Sequence, residues 1–278
     1  MQIVKTEKLV KRYKDGHLAL DSVDISIEKK ITVVIGRNGA GKTTLMRILS
    51  TQLRPTSGKI TILGHDASRE ERDIRRKIVS IPQEAEVLGY LTPEEHLEIY
   101  LSARGFKKEE ISEKTEKALK VLGLYEFRNK NADQLSGGMK RKIFVAMALA
   151  SDSKLTFLDE PTVGLDPISR MEVWSAIKRL NGSVILTTHY MEEAKSLGEE
   201  IILIDSGKVM MKGSPEMLLE KTKGIMRIDG AGLGRRQYKI GGITISYVDE
   251  KTALEYAKKG FEIKNLDIED LFIIGGIR

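Results

Sequence analysis

The sequence predicts an α/β fold built on a largely parallel sheet, and three observations carry that expectation. Short apolar runs alternate with amphipathic segments over residues 32–209, the pattern of strands and helices laid down in turn. A glycine-rich loop, Gly36-Arg37-Asn38-Gly39-Ala40-Gly41-Lys42-Thr43, directly follows the apolar run 31–35. Two further apolar runs, 155–158 and 184–188, each end in chemistry-bearing side chains, Asp159-Glu160 and His189.

The loop has the complete spacing G-x-x-x-x-G-K-[ST] in the context that spacing needs. A strand delivers it, and residues 43–49, starting Thr43-Thr44, continue with helical spacing. Glycines let main-chain N–H groups turn inward around a phosphate, and the helix start adds the positive end of its dipole. Lys42 is placed to reach the β and γ oxygens of a nucleotide, and the Thr43 hydroxyl to ligate Mg²⁺. A second anion-binding helix start is expected at Leu135-Ser136-Gly137-Gly138-Met139, where a serine and two glycines open residues 140–150. Asp159 and Glu160 close a buried strand beside the loop, which suits Asp159 to Mg²⁺, directly or through water. Glu160, one residue on, suits the polarising of an attacking water.

Ahead of the loop, residues 3–13 and 23–27 read as strands joined by an Asp15-Gly16 turn. Residues 93–150 are rich in helix. There Ile111, Thr115, Ala118, Leu119 and Leu122 form one apolar face, and Gly123 supplies the stop. Composition shifts after Gly224, so a boundary is expected near residue 221. The segment 221–278 should hold β-like runs at 225–228 and 243–248, a helix at 252–259 and a strand–helix pair over 261–274. In that last helix Leu271 and Phe272 are expected to pack inward behind an Asp267 N-cap.

Bulk composition narrows the classes. The chain contains no cysteine, which rules out disulfides, zinc–thiolate sites and a thiol nucleophile. Its longest apolar runs fall far short of the roughly 18 residues of a membrane span. The start Met1-Gln2-Ile3-Val4-Lys5 lacks a secretion signal. A net charge of +6, with acids interspersed among the bases, argues against a nucleic-acid footprint. The triplet Lys140-Arg141-Lys142 reads as a solvated helix face rather than a localisation signal. Residues 129–133 imitate a guanine-reading NKxD, but the aspartate arrives one residue late.

Taken in order, the phosphate loop, Leu135-Ser136-Gly137-Gly138-Met139, Leu158-Asp159-Glu160-Pro161 and Thr188-His189 resemble the ATPase subunits of ABC transporters over about residues 1–220. The resemblance implies a P-loop NTPase core with a largely parallel sheet, an N-terminal antiparallel β subdomain, a helical signature subdomain over about 84–150, and a small C-terminal α/β extension from 221. It makes Glu160 the catalytic carboxylate and His189 a contact of the γ-phosphate. It places Gln83 at the metal–water shell, Tyr13 against adenine and Asp166 in a loop at the dimer interface. Ser136 and Gly138 would complete a nucleotide site begun by Lys42 of a second subunit. ATP and Mg²⁺, a homodimer or paralogous partner, and a separately encoded transmembrane permease are thereby implied, with the chain peripheral on the cytoplasmic face of the membrane.

Two departures stand out. The signature ends in Met139 where relatives commonly have glutamine, and a Gly-Glu usual before Ile31 is absent. Glu160-Pro161-Thr162-Val163-Gly164-Leu165-Asp166-Pro167 and Thr188-His189-Tyr190-Met191-Glu192-Glu193-Ala194 resemble the exporter type, serving drugs, lipids or polysaccharides. The alternatives are a soluble ABC ATPase serving cofactor assembly or translation, and a non-catalytic nucleotide-sensing scaffold. The retention of Glu160 and His189 disfavours the scaffold.

Overall fold

The computed structural model describes residues 2–220, 222–232 and 237–276. It divides into two compact units, Met1–Val209 and Met210–Arg278.

The first unit opens with strands β1 (Val4–Arg12) and β2 (Leu18–Ile27), joined as expected by a turn at Asp15-Gly16. Strand β3 (Ile31–Ile35) leads into helix α1 (Lys42–Leu49), and β4 (Ser57–Ile62) and β5 (His65–Asp66) follow. These outer strands form an antiparallel sheet in the order β2-β1-β4-β5. Helix α2 (Glu71–Lys77) precedes β6 (Ile78–Ile81). Three helices then form the helix-rich stretch: α3 (Pro93–Ala103), α4 (Lys108–Val121) and α5 (Gly137–Ala150). The unit continues with β7 (Leu155–Asp159), α6 (Pro167–Lys178), β8 (Ser183–Thr188), α7 (Met191–Leu197) and β9 (Glu200–Asp205). The division between units falls within β10 (Lys208–Gly213).

The central sheet has the order β10-β9-β3-β8-β7-β6, and β9, β3, β8, β7 and β6 run parallel. Every residue of β3 and β7 is buried, as a strand covered on both faces requires. The chain leaves β3 for β6, returns through β7 and β8, and crosses to β9 on the other side of β3. Crossovers running both ways open a crevice at the carboxyl ends of the strands. Phe157, Leu45, Ile48, Val34, Ile185 and Ile202 belong to one apolar core that also takes in Val4, Leu9 and Ile27 of the antiparallel sheet.

The helical stretch follows its sequence signals closely. Thr92 and Glu95 form a reciprocal capping box with Pro93 in the first turn of α3. Ile111, Thr115, Ala118, Leu119 and Leu122 are all buried. Gly123 takes φ +63° directly after α4, a conformation glycine adopts without penalty.

The second unit comprises α8 (Pro215–Glu220), β11 (Ile225–Asp229), β12 (Gln237–Ile240), β13 (Ile243–Asp249), α9 (Glu250–Ala257), β14 (Ile263–Asn265) and α10 (Ile268–Gly276). Its strands form an antiparallel sheet in the order β12-β13-β11-β14. Helix α9 starts ahead of the expected residue 252 because the Asp249 carboxylate accepts from the Thr252 N–H at 2.8 Å and caps it. Leu271 is buried, as expected; the Phe272 side chain lies outside the described residues. Buried Asp270 accepts from the Tyr247 hydroxyl at 2.7 Å and from Arg227 at 3.2 Å, a polar clasp between sheet and helix.

Candidate active site

The phosphate loop closes the gap between β3 and α1 so tightly that two of its glycines have no substitute. Gly41 takes φ +102°, and a Cβ there would meet the Ala19 carbonyl at 2.5 Å. A Cβ on Gly36 would run into the carbonyl of Ile204. Helix α1 begins at Lys42 without a side-chain cap and without an acid in its first turn. Its leading N–H groups and dipole are therefore unopposed on the side where the loop curves.

Lys42 is buried. Its ammonium donates to the Gly36 carbonyl at 2.8 Å and the Arg37 carbonyl at 3.3 Å, and stands 3.4 Å from the Glu160 carboxylate. Asp159 and Glu160 are buried at the end of β7. The Thr187 hydroxyl donates to Asp159 and accepts from the Glu160 N–H at 3.0 Å, which joins the ends of β7 and β8. Glu160 adopts φ +49°, the left-handed region that costs a residue with a Cβ. From there its carboxylate pairs with Nδ1 of His189 at 2.7 Å. An ionised carboxylate only accepts, so Nδ1 is the donor in this pair. The His189 ring lies 4.1 Å from Tyr190, whose own ring sits under the Arg170 guanidinium at 4.3 Å.

Two cavities meet here. One, of about 360 Å³, is lined by Thr43, Gln83 and Asp159; the other, of about 350 Å³, by Asn38, Gly39, Lys42, Thr44, Gln83 and Glu160. The loop, the acid pair and Gln83 are thus brought together at the carboxyl ends of β3, β6 and β7. Tyr13 reaches the rim, its hydroxyl 3.2 Å from that of Thr44 and its ring stacked on His17 at 6.3 Å. Residues 135–139 line neither cavity. Ser136 caps α5 by accepting from the Met139 N–H at 3.2 Å and is exposed, and Leu135 is buried. Gly138 lies beside the Leu165 side chain, next to the loop of Asp166. Asp166 caps α6 by accepting from the N–H groups of Ile168 and Ser169, and the hydrogen bonds from Ser169 hold its carboxyl below the usual range.

The solvated-face reading of Lys140-Arg141-Lys142 is overturned. Lys142 is buried and paired with Glu172. Arg141 donates inward to the carbonyls of Gln83, Asp159 and Glu160. Burial pulls its guanidinium below the usual arginine range, opposed by the charges of Asp159 and Glu160. Thr187 and Glu193 also escaped notice. Hydroxyls at the buried end of an apolar strand were a usable signal for Thr187. An acid four residues after His189 was one for Glu193.

A family model described as ABC transporter matches residues 20–163, a span that holds the loop, the signature and the acid pair. The chain belongs to the ABC transporter family. Over 220 residues this ABC protein is 40% identical to ATP-binding cassette sub-family A member 2 of Homo sapiens, an overlap of 78% of this chain and 9% of that one. It therefore spans about a tenth of that relative's length. It is 38% identical over 218 residues to the daunorubicin resistance ATP-binding protein DrrA3 of Streptomyces coeruleorubidus, covering 77% of this chain and 69% of that one. Among solved structures, the post-hydrolysis dimer of the ATP-binding cassette MJ0796 with ADP and Pi superimposes with a TM-score of 0.69 at 28% identity, covering 76% of this chain and 98% of that one.

Proposed function

We propose that this ABC protein binds Mg-ATP and hydrolyses it as one half of a head-to-tail dimer, driving a separately encoded membrane permease, in the direction of export. The observation that carries the reading is the Glu160 carboxylate, held between Lys42 and His189 beside the phosphate loop. Glu160 acts as general base toward the attacking water. Lys42 and the N–H groups of residues 37–43 hold the β- and γ-phosphates, and His189 holds Glu160 in place and faces the γ-phosphate.

The donor set fits Mg²⁺. Thr43, Gln83 and Asp159 offer three oxygens around one cavity, and no group of three or more His, Asp or Glu that could hold a metal occurs among the described residues. So sparse a protein shell suits an ion that keeps waters and takes phosphate oxygens. Bound there, Mg²⁺ would neutralise charge on the phosphates.

The dimer is supported by the placement of residues 135–139 away from the cavities of their own chain, with Ser136 turned to solvent. In this reading Ser136 and Gly138 serve the nucleotide of the other subunit, Asp166 lies at the interface, and Tyr13 stacks on adenine. The exposed apolar side chains Leu88, Tyr90 and Ile99, near Gln83 and on α3, suit a permease surface at the cytoplasmic face of the membrane. Among the described residues no helix is long and apolar enough to cross a membrane. The second unit acts as an accessory domain for docking or regulation.

The decisive experiment is Glu160→Gln. Hydrolysis should fall about 10²–10⁴-fold, the usual worth of a general base, with nucleotide binding retained. Near wild-type turnover in that variant overturns the assignment.

A further inference from the structure

Arg141 makes a set of bonds that its helix position does not explain. Its guanidinium reaches from α5 to three main-chain carbonyls: Gln83 at 2.9 Å, Asp159 at 3.0 Å and Glu160 at 3.0 Å. Those acceptors come from the loop after β6 and from the end of β7 with the residue that follows it. Carbonyl oxygens that converge repel one another. One planar cation with five donors in a fixed fork relieves all three, whereas the compact ammonium of lysine is a point charge without that fork.

The contact also bears on the conformation of Glu160. The carbonyls of Asp159 and Glu160 share one guanidinium nitrogen, Nη2, while the peptide chain between them turns through the left-handed residue Glu160. Such a backbone persists only where its surroundings over-determine it. Arg141 holds it from the carbonyl side, and Thr187 from the N–H side. The direction of the Glu160 side chain, and hence its contacts with Lys42 and His189, follows from that pinned backbone.

Arg141 stands in the same helix that Ser136 caps, little more than one turn on. A short helix moves as a body, so the signature start and the Arg141 fork shift together. We propose that Arg141 is a positioning residue for hydrolysis, tying the Glu160 backbone and the Gln83 loop to the signature helix. Each chain's hydrolytic carboxylate is then set by the helix whose start meets the other chain's nucleotide. The inference rests on the dimeric ATPase reading above.

The test compares Arg141→Gln and Arg141→Lys in the full chain. The readouts are steady-state hydrolysis, binding of a fluorescent ATP analogue, and thermal unfolding. ATP-driven dimerisation is followed by size exclusion, with Glu160→Gln as background. The expected result for Arg141→Gln is a kcat lower by about 10–100-fold, the scale of a small misplacement of reacting groups, with KM and binding changed less than about threefold. Arg141→Lys should fall between wild type and Arg141→Gln. A kcat within about twofold of wild type in Arg141→Gln overturns the proposal, as does a loss that merely tracks binding or unfolding. If Arg141→Gln does not fold, Arg141→Lys decides alone, and wild-type turnover in it counts against the fork. Should Glu160→Gln by itself stay monomeric with ATP, the dimer reading fails; a selective kcat defect at Arg141 would then still place the residue in the hydrolytic geometry of one chain, without the link to a second.

Discussion

Glu193 on α7 offers a stability experiment in which a hydrogen-bond hub can be separated from a charge. The side chain is fully buried. Its Oε1 accepts from the Thr162 hydroxyl and the Trp174 indole N–H, both at 2.9 Å, while Oε2 is buried without a partner. Burial pushes this carboxyl above the ordinary glutamate range, against the hydrogen bonds from Thr162 and Trp174 and the charge of Arg170. A proton on Oε2 leaves Oε1 as the acceptor for both donors. Glutamine preserves that acceptor at nearly the same volume, so Glu193→Gln should cost no more than about 1 kcal/mol. Leucine orphans two buried donors at about 1–3 kcal/mol each and relieves one unpaired oxygen of the same worth, a net cost of about 1–3 kcal/mol.

The pH dependence has a definite sign. The folded carboxyl keeps its proton at pH values where the unfolded one, near its ordinary 4.5, has released it. Over that window the unfolded state binds fewer protons, so stability falls as pH rises from the unfolded value through the raised folded one, and levels off above it. Glu193→Gln should abolish that fall. Urea unfolding followed by Trp174 fluorescence, across a pH series, reads both effects, because the chain has a single tryptophan. Two results refute the reasoning: Glu193→Leu within about 0.5 kcal/mol of wild type, or Glu193→Gln retaining the full pH-dependent loss.

Further expectations concern the loop and the signature. Gly36→Ala drives a Cβ into the Ile204 carbonyl and should abolish nucleotide binding, measured by fluorescence titration; unaltered affinity would contradict the close approach. Ser136→Asp keeps the oxygen that caps α5 but sets a negative charge where the other subunit's phosphate is proposed to lie. In the Glu160→Gln background it should prevent ATP-driven dimerisation while leaving the melting temperature nearly unchanged. A dimer of undiminished lifetime would count against the shared site.

How much of this was legible depended on whether the information was local. The phosphate loop could be read because strand, glycines, lysine and helix start are contiguous, and β7 with its two acids because an apolar run ended in them. The α4 face could be read because its buried positions recur at helical spacing. The edge strand β12 was not foreseen; its segment, Gln237–Ile240, is short and mixed in character, and its pairing with β13 supplies what its own sequence lacks. Lys140-Arg141-Lys142 misled because a basic triplet on a helix is usually solvated. What turned two of its members inward were partners far along the chain: Glu172 for Lys142, and the main chain at Gln83 and Asp159 for Arg141. The left-handed backbone of Glu160 was equally hidden, since no glycine or asparagine marked it.

The direct pairing of β6 with β7 has a consequence for how such a protein can diverge. Ile78 lies opposite Leu155 and Ile81 opposite Leu158, so everything between these strands leaves the sheet and returns to it through one gap. The Lys154 N–H closes the return by donating to the Lys77 carbonyl at 2.9 Å. Helices α3 and α4 are in effect a graft on two neighbouring strand ends. Their outward surface can be rewritten without re-laying the sheet or disturbing the phosphate loop. Such rewriting must spare the root of the graft, where Gln83 and Arg141 meet. A chimera that exchanges the α3–α4 segment and leaves those two residues in place would keep the site proposed for hydrolysis intact.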